Sequence, residues 1–228
     1  MATLEAIRTE IRDIIQDTSY DSFLKTYINN AITTISGGIR MPDGGFSPPL
    51  PQLFDTDTVA TTPAAYAELP ADYQRNVFSV CDSSGLVIKP ASGGDYYNFR
   101  LFLKQCYKKD LTETGTIHDV AVKGKRLYYQ GIPAASKNLT VMFYRKPVEL
   151  INELDQVDGI PEQFQAKLIK HYVCQEIFGS ELEDGSNSRG AGNRYHMSAF
   201  FKTMQDLISF IGEDEEPIYY ASSNESVW

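Results

Sequence analysis

Apolar residues recur at helical spacing near both ends of this chain but not through its middle, and that arrangement limits the folds open to it. Over residues 3–17, Leu4, Ile7, Ile11, Ile14 and Ile15 fall on one helical face, behind Thr3 as a candidate N-cap. Thr18 and Ser19 interrupt the pattern and offer capping hydroxyls for a second helix. Its stripe is Phe23, Leu24, Tyr27, Ile28, Ala31, Ile32 and Ile35, and Gly37-Gly38 stop it. Joined so tightly, the two helices are expected to pack as an antiparallel hairpin. Towards the other end, Pro161 suits a first helical position, and Phe164, Leu168, Tyr172, Val173 and Ile177 follow on one face. Residues 183–187 make a polar break. A last helix is expected to run to about residue 211, striped by Phe200, Met204, Leu207, Ile208 and Ile211 and ended by Gly212.

The middle, residues 64–150, has a different period. Segments 76–81, 85–89, 117–123, 126–130 and 139–144 are short and rich in Val, Ile, Tyr and Phe, with turn signals between them. Such short spacing joins antiparallel strands. Within it, residues 96–108 place Tyr96, Phe99, Leu103, Cys106 and Tyr107 at helical spacing. Each helix pair alone would leave an apolar stripe in water. The expected fold is therefore α+β: a four-helix bundle formed by both chain ends (1–36 and 158–212), with a small antiparallel β domain (64–150) containing one helix inserted into it.

Two segments fall outside this scheme. Residues 37–63 carry several glycines and prolines and show no obvious element, yet hold Ile39, Met41, Phe46, Leu50, Leu53 and Phe54. A loop this long inside a compact domain is uncommon, and disordered linkers rarely carry so many large apolar groups. It is read as a docking loop. After Gly212 come four acidic residues, Pro217, and a segment with Ile218, Tyr219, Tyr220 and Trp228, the only tryptophan. Residues 213–228 are too short to build a core. They are read as an extended arm whose aromatics fill a partner's pockets, against the alternative of a frayed terminus. The candidate partner-binding residues are Arg40, Phe46, Leu50, Leu53 and Phe54 in the loop, Arg145 and Lys146 where the β region ends, and Ile218, Tyr219, Tyr220 and Trp228 in the arm.

Composition narrows the function. The net charge is -9, from 30 acidic and 21 basic residues, which does not supply the basic surface needed to grip nucleic acid. DNA is expected only as a passing cargo that a negative wall repels, although acidity also serves plain solubility. Fourteen Tyr and twelve Phe suit either interfaces or a β-rich core. No apolar run approaches the roughly 20 residues of a membrane span, and the first ten residues lack the pattern of a signal peptide. The expected place of synthesis is the cytoplasm. Cys81, Cys106 and Cys174 are widely spaced without a CxxC pair, which argues against a disulfide framework and a zinc site.

Catalytic groups are scarce. His171 and Cys174 lie at i and i+3, but on a core-facing stripe without an orienting third group. His118 and Asp119 are neighbours in an expected strand and should point to opposite faces. No catalytic, phosphate-binding or metal-binding motif is present. No catalytic residue, cofactor or metal is assigned, and the chain is read as a non-enzyme.

Several segments carry a resemblance in their order and spacing. They are LKTYINNAI (24–32), ELPADYQR (68–75), VKGKRLYYQGIPAASKNLTVMFYRKP (122–147) and DGIPEQFQAKLIKHYVCQEIF (158–178). Over roughly residues 4–212 the chain resembles the head-to-tail adaptor (connector) proteins of short-tailed bacteriophages. The resemblance implies a structural virion protein in the neck, made in the host bacterial cytoplasm. It implies a twelve-fold homo-oligomeric ring, with portal protein above and tail or nozzle proteins below, carrying DNA through its lumen without enzymatic activity. Another phage neck or tail subunit, a non-viral β-rich binding module, and an enzyme with an unfamiliar site remain as alternatives.

Overall fold

The computed structural model describes residues 1–90, 96–106, 113–180 and 187–214. Helix α1, Leu4–Ile15, begins at Thr3, whose hydroxyl accepts a hydrogen bond from the Ala6 amide, and ends at Gln16 in the left-handed region. The link to the next helix differs from expectation. The Asp17 carboxylate, not a hydroxyl of Thr18 or Ser19, caps a short 3₁₀ turn, Thr18–Tyr20. Helix α2, Leu24–Gly37, then starts at Phe23 without a side-chain cap and stops at Gly38, whose φ of 95° favours glycine.

After the β region come α4, Glu162–Ser180, and α5, Asn187–Asp214. Gly212 does not end α5, which continues through it. The polar break at 183–187 lies outside the described residues at 183–186, and its last residue, Asn187, opens α5. Helix α4 packs along α5 and also touches α1 and α2, each more extensively than α1 and α2 touch each other. The expected hairpin is thus the weaker contact, and α4 is the element that gathers the rest. Ile7, Ile11, Ile28, Ile32, Leu168, Val173, Phe200 and Leu207 lie in one buried cluster, so helices from both ends of the chain share a core.

The β region forms two three-stranded antiparallel sheets. One has the order β1-β6-β3, from Phe54–Ala60, Asn138–Arg145 and Tyr73–Cys81. The other has the order β2-β5-β4, from Tyr66–Glu68, Arg126–Gln130 and Asp119–Lys123. Val80, Val120, Leu127, Tyr129, Val141 and Phe143 fill a second core. Helix α3, Phe99–Cys106, covers Ala121 and Tyr128 through Phe99 and Phe102.

Two strand assignments from sequence are corrected. Segment 85–89 forms no regular strand. The Asp82 carboxylate accepts from the Ser84 and Leu86 amides and folds those residues into a turn, leaving only a bridge between Cys81 and Val87. Conversely, segment 37–63, read as lacking elements, contains the 3₁₀ turn Pro51–Leu53 and all of β1. The run from Asp55 to Thr58 is polar on both faces, so it shows no apolar alternation.

Two stretches connect the sheets to the helices, and three side chains fasten them. Arg75 donates to the carbonyls of Gly37 and Ser47, at 2.9 and 3.3 Å. Arg145 forms a bidentate pair with Asp158, at 2.6 and 3.2 Å. Asn29 on α2 holds the backbone of Leu150.

Candidate interaction surfaces

The loop residues singled out from sequence divide into two groups. Leu50 and Leu53 are buried in the chain's own helical core, so their apolar surface is already covered within the subunit. Phe46 and Phe54 are exposed. Phe46 bridges to Arg40 across a small turn in which the Met41 amide donates to the Gly45 carbonyl at 2.8 Å. Buried Met41 anchors this turn, leaving the Phe46 ring 72% exposed beside exposed Arg40. Phe54 stacks on Phe78 with ring centroids 5.2 Å apart, and Phe78 meets Tyr144 at 5.5 Å. The part played by Phe78 was not found from sequence, because it sits beside an irregular register in β3 that period counting does not reveal.

The basic candidates at the strand exit are held within the subunit. Arg145 pairs with Asp158, and Asp55 lies 3.5 Å from its Nε. Burial pushes the pKa of the Asp158 carboxyl up, but hydrogen bonds from Arg145 and the Val148 amide outweigh it and hold the group below its usual value. Lys146 reaches the Ala71 carbonyl at 3.4 Å while remaining exposed. Ile218, Tyr219, Tyr220 and Trp228 lie outside the described residues.

The titratable groups lend themselves to packing more than to chemistry. Cys174 is fully buried, and desolvation pushes its thiol up to about 12, which suppresses the thiolate. His171 does not face a nucleophile. Its Nδ1 lies 2.8 Å from Nδ1 of His196 on α5, a partnership that sequence spacing did not suggest because 25 residues separate the two. His118 and Asp119 correct the expectation that they diverge. His118 precedes the first residue of β4, and its Nδ1 lies 2.9 Å from Asp119 Oδ2 on an exposed surface. Strand alternation does not hold one residue before the strand begins.

Among the described residues no group of three or more His, Cys, Asp or Glu is arranged to hold a metal ion. A hollow of 400 Å³ near the ends of β1 and β6 is lined by Thr61, Thr62, Pro63, Thr114, Ile132, Pro133, Ala134 and Ser136, none of them titratable. No helix among the described residues is long and apolar enough to cross a membrane.

What the described surface does present is exposed apolar groups on firmly held backbone, which suits contact with other proteins. No curated protein matches the sequence. The family model described as SU10 adaptor protein matches residues 2–224, nearly the whole chain. The chain belongs to the SU10 adaptor protein family, a family of phage adaptors.

Proposed function

We propose that this chain is a structural head-to-tail adaptor that forms a ring, twelve-fold by analogy with such connectors, between the portal above and tail or nozzle proteins below. The observation that carries the reading is the family match along residues 2–224. The protein works in the virion neck as part of the DNA conduit and performs no enzymatic step. Its net charge of -9 supports passage of DNA in preference to capture.

The division of labour follows the two apolar cores. A bundle from residues 1–36 and 158–212 is read as one unit, and residues 64–150 as an inserted β unit, to which β1, Phe54–Ala60, adds an edge strand through its pairing with β6. Segment 37–63 contributes partner contacts through Arg40, Phe46 and Phe54, which are exposed in the single subunit. The arm read at 213–228, whose first two residues still belong to α5, adds contacts to a neighbour or to the portal through Ile218, Tyr219, Tyr220 and Trp228.

Native mass measurement of the full chain, alone and mixed with its portal protein, tests the proposal. The expected result is a large multiple of the subunit mass in at least the mixture. A chain that stays monomeric and leaves the portal unchanged would overturn it. Deleting residues 215–228 should leave the subunit folded while lowering its occupancy on the portal.

A further inference from the structure

Charge is divided unevenly along this chain. Residues 64–150 hold 12 basic and 8 acidic residues, while the remainder holds 9 basic and 22 acidic. A β unit of +4 therefore accompanies a remainder of -13, together the net -9. Like parts of two copies repel and unlike parts attract, which favours head-to-tail contact over two-fold pairing.

The positive charge has a focus on the sheet β2-β5-β4. Lys123 and Arg126 are register partners at the β4–β5 turn, Lys125 stands between them, and all three are exposed. Beside them runs a column of half-buried rings. Tyr66 meets Tyr128 with centroids 5.7 Å apart, and Tyr128 meets Phe99 of α3 at 4.7 Å. A cation caps each end of the column. The Arg126 guanidinium lies 4.4 Å from the Tyr66 ring, and Lys123 Nζ lies 4.8 Å from that of Phe99. Arg100 and Lys104 add two exposed cations on α3. Among the described residues Arg126 pairs with Glu68 at 2.8 Å, and the other four cations form no ion pair.

This face suits an acidic polypeptide carrying aromatic side chains better than it suits duplex DNA. Bases paired inside a duplex cannot stack on the rings. Five cations on a chain of net -9 also release few counterions.

The chain itself supplies such a segment. Helix α5 ends in Glu213 and Asp214, and Glu215 and Glu216 follow. Acidic groups at a helix C-terminus oppose the macrodipole, and no basic residue stands in the last turn of α5. Nothing in that helix end offsets the negative charge, so a cationic surface elsewhere stabilises it. The Phe210 ring packs 5.6 Å from that of Phe164, and Ile211 is buried in the helical core, so the root of the acidic run is fixed to the helical unit. Beyond Glu216, residues 217–228 can span about 40 Å when extended. That length is ample to carry Ile218, Tyr219 and Tyr220 across a neighbour's ring column.

We propose that residues 213–228 of one copy dock on the next copy's β unit, the acidic run against the Lys123–Arg126 turn and the aromatics against Tyr66, Tyr128 and Phe99. This rests on the ring reading above and names the surfaces that make the contact.

The test uses the full chain, with assembly followed by sedimentation, alone and with the portal, and melting checked for every variant. Lys123→Glu/Lys125→Glu should weaken assembly by about tenfold or more, because like charges then face each other. Glu215→Lys/Glu216→Lys should do the same, and combining the two pairs should restore most of the loss. If the turn variant does not fold, Arg100→Glu/Lys104→Glu on α3 takes its place. Assembly equal to the wild type in both reversed variants means that this contact is wrong while the ring reading stands. Losses without rescue in the combined variant would also overturn the pairing. So would a turn variant that forms rings but no longer binds the portal. Trp228, the only tryptophan, reports on the arm alone. Its emission in dilute monomer should not respond to Lys123→Glu/Lys125→Glu, and a response would show the arm folded onto its own subunit, against the proposal. A gel shift of duplex DNA abolished by the same change would assign the face to nucleic acid instead. A wild-type chain that never assembles, with or without the portal, would overturn both readings.

Discussion

Asn29 and Leu150, 121 residues apart in the chain, are joined by two hydrogen bonds: Asn29 Nδ2 donates to the Leu150 carbonyl at 3.0 Å, and the Leu150 amide donates to Asn29 Oδ1 at 2.9 Å. A side-chain amide here takes the place of a neighbouring strand, letting an irregular loop bury Leu150 with both of its backbone polar groups satisfied. Asn29→Ala removes both partners at once. The expected loss is about 1–3 kcal/mol in a denaturant titration, since each bond is worth roughly 0.5–1.5 kcal/mol and the amide is left unpaired. Asn29→Asp should also destabilise, because a carboxylate cannot donate to the carbonyl.

The Arg145–Asp158 pair fastens the last strand to the entrance of α4. Arg145→Ala leaves a partly buried carboxylate with only backbone amides, those of Val148 and Gly159, to satisfy it. A loss of about 2 kcal/mol is expected, in the range for hydrogen bonds to charged groups. Arg145→Lys should recover only part of it, because an ammonium cannot reproduce the bidentate fork. Equal melting temperatures for wild type and Arg145→Ala would show the clasp to be unimportant to stability.

Gly159, next to that clasp, has a φ of 78°, and an added Cβ would run into the side chain of buried Leu53. Both the backbone conformation and the space oppose a larger residue. Gly159→Ala is expected to destabilise by about 1–3 kcal/mol. A Gly159→Ala/Leu53→Val double variant tests the cause. If crowding dominates, the second change should recover part of the loss, and strictly additive losses would assign it to backbone strain.

The legible parts of this fold were those whose burial leaves a period in the sequence. The stripe of α1 and the β-rich composition of β6 were both read close to their observed bounds. Strand β1 escaped because Asp55, Thr56, Asp57 and Thr58 are polar on both faces of an edge strand, where no apolar pattern is required. Leu50 and Leu53 were read as partner contacts because apolar residues among prolines look the same whether they cover a neighbour or their own core. The His171–His196 contact and the Phe54–Phe78 stack are made between elements, and nothing local in the chain encodes them.

The acidic balance bears on DNA. Affinity for duplex DNA comes largely from the counterions released when Lys and Arg neutralise phosphates. A chain with 30 acidic and 21 basic residues has little to offer. The isolated protein should give no gel shift at physiological salt. A tight, salt-sensitive shift would show a concentrated basic patch and make the conduit an active grip.

The histidine pair sets a pH window. At 2.8 Å, with both rings neutral, one Nδ1 must carry a proton and donate to the other, which accepts. Desolvation lowers the pKa of both rings. For His171 the nearby Lys170 and Lys167 lower it further. For His196 the neighbouring ring and Lys170 take it to about 4. The unfolded chain, without these surroundings, protonates near the ordinary imidazole value of 6.5. Below that pH the unfolded state therefore binds more protons than the folded one. The stability contributed by the neutral pair is present above about pH 6.5 and is lost as pH falls towards 4. His196 alone should give a slope approaching about 1.4 kcal/mol per pH unit within that window. The depressed carboxyls of Asp82, Asp155 and Asp158 act lower, below the ordinary aspartate value of 3.8. Denaturant titrations at several pH values should show the two regimes separately. His196→Leu should flatten the upper one while leaving the lower one in place. An unchanged slope between pH 6.5 and 4 in that variant would mean that other groups carry the dependence.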